Sequence, residues 1–82
     1  MKFNSEMIDN IVTYICIGMS DNATWLIIEN IRTLSEILDI DKEQVLREMA
    51  AEIAKHFNGA ITAVDIYNDV HRMLRLRKRL KA

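Results

Sequence analysis

Apolar residues recur every three or four positions along most of this sequence, and no proline interrupts them. This spacing places apolar side chains on one face of an α-helix, whereas proline would break a helix interior. Strict alternation of apolar and polar residues, which is typical of a half-buried strand, is missing. The sequence therefore predicts an all-α protein.

Glycines and capping residues divide the pattern into four helices with short connections. Gly18 is expected to end the first helix, and Ser20 or Asp21 to cap the second. Asp41 with Gln44, and Thr62 with Asp65, resemble capping boxes at the starts of the third and fourth helices. We predict a small four-helix bundle forming a single domain, residues 1–82, with helices over about residues 5–17, 21–38, 42–57 and 63–80.

The composition favours a folded protein in a reducing compartment. Half of the 82 residues are hydrophobic, which argues against disorder. The single Cys16 cannot form an internal disulfide and is expected to be a small buried hydrophobe. The first ten residues do not resemble a signal peptide, and no apolar run approaches the roughly 20 residues of a membrane-spanning helix. We therefore expect a soluble, cytoplasmic protein.

The charges are distributed unevenly along the chain. Residues 1–70 carry five Lys and Arg against all twelve Asp and Glu, so their net charge is 5 − 12 = −7. Residues 71–82 carry six Lys and Arg and no acid, a net charge of +6. Such an asymmetry is often found where a chain has an interaction tail.

The first two helices carry more apolar residues than one inner face needs. On a helical wheel Trp25 lies on the polar side of the second helix, and Leu26 and Ile37 lie on the opposite shoulder. Tyr14 and Ile17 point away from the inner face of the first helix. Either these helices lie at the centre of the bundle, or a second copy or another protein covers them.

No catalytic or metal-ligating pattern is present. Cys16, His56 and His71 are scattered, and both glycines lie at predicted helix ends. We therefore predict a protein that is not an enzyme and that needs no cofactor or metal ion.

A contact by the basic end of the fourth helix is expected to be electrostatic. The stretch "EIAKHFNGAITAVDIYNDVHRM" is faintly similar to the DNA-binding helices of bacterial replication initiators, but Asp65 and Asp69 would repel phosphates. The remaining alternatives are an acidic protein, an anionic membrane surface, and a solvated face whose cations suit a helix C-terminus. The candidate residues are Arg72, Arg75, Arg77, Lys78, Arg79 and Lys81.

Two long stretches, "NIVTYICIGMSDNATWLIIENIRTL" and "LREMAAEIAKHFNGAITAV", resemble the cytoplasmic lysis-inhibition accessory proteins (antiholins) of T-even-type phages. This resemblance implies a regulator that binds the cytoplasmic N-terminal part of a phage holin, a membrane protein, and delays host lysis. It transfers no individual functional residue.

The sequence thus supports two hypotheses. The first is a non-enzymatic regulator that binds another protein through Trp25, Leu26 and Ile37 and through the basic end. On this hypothesis the same protein can also bind a second copy of itself. The second is a small nucleic-acid-binding transcriptional regulator that uses the basic end.

Overall fold

The computed structural model describes residues 2–81 of the chain, and the side chain at position 81 is outside the described part. The predicted all-α class is confirmed, since these residues form four helices and no strand. The helices are α1 (Ser5–Cys16), α2 (Ser20–Leu38), α3 (Lys42–Ala54) and α4 (Ala63–Lys81), and a short 3₁₀ turn, Lys55–Phe57, follows α3.

Gly18 ends α1, as predicted. Its φ is +81°, in the left-handed region that glycine adopts without strain. The Gly18 amide donates to the carbonyl of Ile15, and the Met19 amide donates to the carbonyl of Tyr14. These two bonds form a Schellman motif, which satisfies carbonyls that the end of the helix would otherwise leave unpaired.

The beginnings of α2 and α3 differ from the prediction. Neither Ser20 nor Asp21 caps α2, because the helix already begins at Ser20 and Met19 occupies the capping position without a side-chain hydrogen bond. Asp41 does cap α3 by position, but its side chain makes no capping hydrogen bond. The predicted capping box at Asp41 and Gln44 is therefore wrong.

The capping box of α4 is confirmed. The Asp65 amide donates to Oγ1 of Thr62 at 3.2 Å, and the Thr62 amide donates to a carboxylate oxygen of Asp65 at 2.9 Å. Two amides that the first turn leaves free are thus paired reciprocally. The box fixes where α4 begins, and so which residues face the bundle further along it.

The core lies where α2 and α3 meet, and each of these helices packs against the other three. α3 is the most deeply embedded, since Val45, Met49 and Ile53 are fully buried. Buried hydrophobic residues of all four helices form one core cluster: Ile8, Ile11, Ala23, Ile27, Ile31, Val45, Leu46, Met49, Ala50, Ile53, Ile66 and Val70. Met73 of α4 is also buried.

Two expectations about α1 are wrong. Cys16 is exposed, because it is the last residue of the helix and lies past the buried positions Ile8 and Ile11. Tyr14 does not point away from the bundle. Its side chain is half-buried and packs against the core.

Candidate functional site

Arg72 connects the basic end of α4 to acidic residues of the molecule. The Arg72 guanidinium lies 3.3 Å from a carboxylate oxygen of Asp21 on α2 and 3.6 Å from one of Asp69, one turn earlier on α4. All three side chains are at least half exposed, so these pairs contribute little to stability. Arg72 therefore ties α4 to the start of α2 but is largely neutralised there.

Three cations further along the helix, Arg75, Lys78 and Arg79, differ from Arg72. Arg75, Lys78 and Arg79 are exposed, and no carboxylate of the described residues lies within 4.0 Å of them. Lys81, the remaining candidate cation, has a side chain outside the described residues. We call Arg75, Lys78 and Arg79 the basic cluster. It presents a concentrated positive charge to solvent.

Arg77 behaves differently from its basic neighbours. It is half-buried, and its guanidinium carbon lies 5.3 Å from the centre of the Trp25 ring. This is the geometry of a cation–π contact. α4 therefore stays packed on α2 as far as Arg77. The next three side chains, at positions 78–80, face solvent, and Leu80 is 81 % exposed.

Trp25 is thus partly covered from within the molecule. Its side chain remains 37 % exposed, which leaves an aromatic edge beside the Arg77 guanidinium. The helical wheel places Trp25 on the polar side of α2, and α4 packs against that side. The sequence analysis assigned Trp25 to an apolar contact and Arg77 to an electrostatic one, and it did not predict that the two side chains touch.

The other apolar candidates lie away from Trp25. Leu26 packs partly against the core, in a shallow depression that it shares with Asn4 and Met7 at the start of α1. Ile37 is on the same face of α2 three turns later, past the beginning of α1, and is 72 % exposed. Ile17 is exposed at the turn between α1 and α2. These residues do not form one patch with Trp25.

A groove runs between α2, α3 and α4 and ends at Arg77. We call it the three-helix groove, and its cavity volume is about 180 Å³. Its floor is made of the core residues Ile31, Leu46 and Val70, and its walls include Ile28 and the 39 % exposed Leu74. The groove is thus an apolar depression directly continuous with the basic end of α4.

The rim of the groove is mainly cationic. It carries Arg32, Lys42 and Arg77, together with Glu43. Arg32 is paired with Glu29 at 2.8 Å, but no carboxylate of the described residues lies within 4.0 Å of Lys42 or Arg77. Two of the rim cations, Lys42 and Arg77, thus have no ion-pair partner among the described residues.

Glu43 is engaged by two residues of α4. The Tyr67 hydroxyl donates to its Oε2 at 2.7 Å, and Nε2 of His71 lies 3.0 Å from its Oε1 without the alignment of a hydrogen bond. The ring centres of Tyr67 and His71 lie 4.5 Å apart. The Glu43 hydrogen bond and partial burial raise the pKa of Tyr67, and nearby Arg47 opposes the shift. This cluster joins α3 to α4, and sequence reasoning missed it because Glu43 is distant in the chain.

The described residues also bear on metal binding and on membrane crossing. Among them, no three His, Cys, Asp or Glu side chains are grouped so that they could hold a metal ion. No helix in the described part of the chain is both long and apolar enough to cross a membrane.

Comparison of the chain with protein-family models, with curated proteins and with solved structures finds no match.

Proposed function

We propose that this protein is a non-enzymatic regulator that acts by binding an acidic segment of another protein. The basic end of α4 is the contact surface. The observation that carries the proposal is the basic cluster, in which Arg75, Lys78 and Arg79 are exposed without a carboxylate within 4.0 Å among the described residues. A dense unpaired charge steers an oppositely charged partner and adds to specificity.

The surroundings of the basic cluster favour a protein as the partner. Leu76 and Leu80 are exposed on α4 between the cations. A helix end that carries both apolar and basic side chains matches an acidic protein surface with apolar positions. Trp25, with its ring held by Arg77, adds an aromatic side chain of the kind that is enriched at interface hot spots.

A second copy of the chain is a poor partner for this surface. A two-fold dimer buries the same patch on both subunits, so it would bring the two basic clusters together. Like charges placed opposite each other at an interface are costly. A homodimer would have to use another face, such as the exposed Ile37 end of α2.

The resemblance to antiholins identifies the first partner to test. It implies binding to the cytoplasmic N-terminal part of a phage holin, and thereby a delay of host lysis. On this proposal the regulator binds its target and catalyses nothing.

The proposal is tested by affinity capture from cells that produce the holin, with two variants of equal charge. In the first, Arg75, Lys78 and Arg79 are replaced by Glu. In the control, Lys2, Arg47 and Lys55 are replaced by Glu, which changes the net charge equally but elsewhere. We expect the first variant to lose the partner and the control to keep it. Equal retention by both variants would contradict the proposal.

Nucleic acid is the alternative ligand of the same cations, because they attract phosphates as well as carboxylates. Binding of duplex or single-stranded DNA is measured for the same variants at two salt concentrations. Tight binding that falls steeply with salt, and that is lost in the basic-cluster variant, would favour the transcriptional regulator instead.

A further inference from the structure

We propose that the three-helix groove is the specificity pocket of the binding surface, and that it takes an apolar side chain flanked by carboxylates on a helical segment of the partner. This inference rests on the proposed function and adds which feature of the partner is recognised. The groove residues Leu74 and Arg77 lie among the basic-cluster residues along α4, about 100° round the helix from them. We therefore expect one bound segment to contact both.

The size of the groove suits a side chain better than a free ligand. Sites for small molecules usually enclose about 300–1,000 Å³, whereas this groove holds about 180 Å³. Ile28 and Leu74 line it above a floor of buried core residues, so an inserted apolar group meets a preformed apolar surface. Interface hot spots are typically such anchor side chains in desolvated pockets.

The charges at the rim decide which residues flank the anchor. Lys42 and Arg77 have no carboxylate of the described residues within 4.0 Å, while Glu43 is already engaged by Tyr67 and His71. The net uncompensated charge at the groove is thus positive. A partner segment with Asp or Glu beside its apolar residue is complementary to it, and a basic segment is repelled.

Arg77 is positioned to bind one of those carboxylates. Its guanidinium carbon lies 5.3 Å from the centre of the Trp25 ring, and this contact restricts the side chain. The guanidinium has five N–H donors in a fixed plane, so donors remain for a carboxylate, which Arg binds in a bidentate manner. A Lys at this position would offer a point charge without the planar set of donors.

The test uses two synthetic helical peptides labelled with fluorescein. In one, leucines recur every three or four residues between glutamates, and in the other every leucine is alanine. Binding is followed by fluorescence anisotropy and by the emission of Trp25, the single tryptophan of the chain. We expect the leucine peptide to bind at least about tenfold more tightly, the effect of one hot-spot anchor.

Three variants locate the contact. Leu74→Gln makes one wall of the groove polar, and we expect it to remove the preference for leucine. Arg77→Lys keeps the charge but is expected to weaken both peptides by about tenfold. Val64→Gln is the control, because Val64 is an exposed apolar residue at the other end of α4, and both affinities should stay unchanged.

The outcomes separate this inference from the proposed function. Equal affinity for the two peptides, lost in the basic-cluster variant, would overturn the pocket and leave electrostatic partner binding in place. A preference for leucine that Val64→Gln removes and Leu74→Gln does not would move the pocket elsewhere. No binding of either peptide to the wild-type protein would contradict both proposals.

Discussion

The guanidinium of Arg77 lies 5.3 Å from the centre of the Trp25 ring and joins α4 to α2. We expect Arg77→Ala to lower the free energy of unfolding by about 0.5–1 kcal/mol, the contribution of an exposed cation–π contact. The emission of Trp25 should shift as its ring becomes more hydrated. Chemical denaturation followed by tryptophan fluorescence measures both effects. Arg75→Ala is the control, and an equal loss there would show that the Trp25 contact contributes nothing.

The N-caps of α3 and α4 differ in one respect: Thr62 makes a side-chain capping hydrogen bond and Asp41 does not. Thr62→Ala removes a hydrogen bond to the Asp65 amide and should cost about 1 kcal/mol of unfolding free energy. Asp41→Ala should cost less, because Asp41 makes no side-chain capping bond and acts only through its charge at the helix start. Thermal unfolding followed by circular dichroism compares the two variants. A larger loss at Asp41 would contradict the observed caps.

The C-terminal ends of α1 and α2 should respond in opposite directions to substitution. Asp39 holds a left-handed conformation, with φ at +53°, so Asp39→Gly should stabilise the protein by up to about 1 kcal/mol. Gly18→Ala should destabilise it by about 1 kcal/mol for the same reason, although a Cβ there meets no neighbour. Urea denaturation measures both changes. Changes of the same sign would refute this explanation.

Substitutions on the core-facing stripe of α4 should cost less unfolding free energy towards the end of the helix. Met73 is 4 % exposed and Leu80 is 81 % exposed, although both lie on that stripe. Met73→Ala should therefore cost about 2–5 kcal/mol of unfolding free energy. Leu80→Ala should change it by less than about 0.5 kcal/mol, like other surface substitutions. Comparable losses in urea denaturation would mean that Leu80 is buried.

Tyr67 should titrate above the ordinary tyrosine pKa of about 10. The hydrogen bond to the Glu43 carboxylate raises its pKa, because ionisation would place two negative charges together. A raised folded-state pKa means that this stabilisation is complete below the unfolded pKa, about 10, and is lost as the pH rises through the folded pKa. The free energy of unfolding of the wild-type protein should therefore fall more steeply in that alkaline range than that of Tyr67→Phe, so the difference between the two proteins should shrink as the pH rises.

Tyrosinate absorbance measures the shift directly in a Tyr14→Phe background, where Tyr67 is the one tyrosine left. Adding Glu43→Gln should lower the midpoint towards the ordinary value. A midpoint that does not respond to Glu43→Gln would remove the carboxylate as the cause.

Much of the fold is readable from the sequence because helix formation depends on near neighbours. The three-to-four-residue spacing predicts the class and the buried stripe of α3, where Val45, Met49 and Ile53 are indeed fully buried. The Gly18 stop and the Thr62–Asp65 box are also local, since each needs residues only a few positions apart. Asp41 occupies the predicted N-cap of α3, but the predicted capping box with Gln44 was wrong, because a capping motif permits a side-chain hydrogen bond without requiring it.

The candidate site shows the limit of such reasoning. Sequence by itself determined that the cations concentrate at the end of α4 and that α2 carries Trp25 outside its inner stripe. Only the tertiary structure decided that Arg72 pairs with Asp21 and that Arg77 partly covers Trp25. It also decided that Arg75 has no carboxylate within 4.0 Å in the part of the chain that the structure describes. Helical periodicity fixes which side of its own helix a residue occupies. Which side chain it meets depends on how two helices pack, and that is set by the whole core.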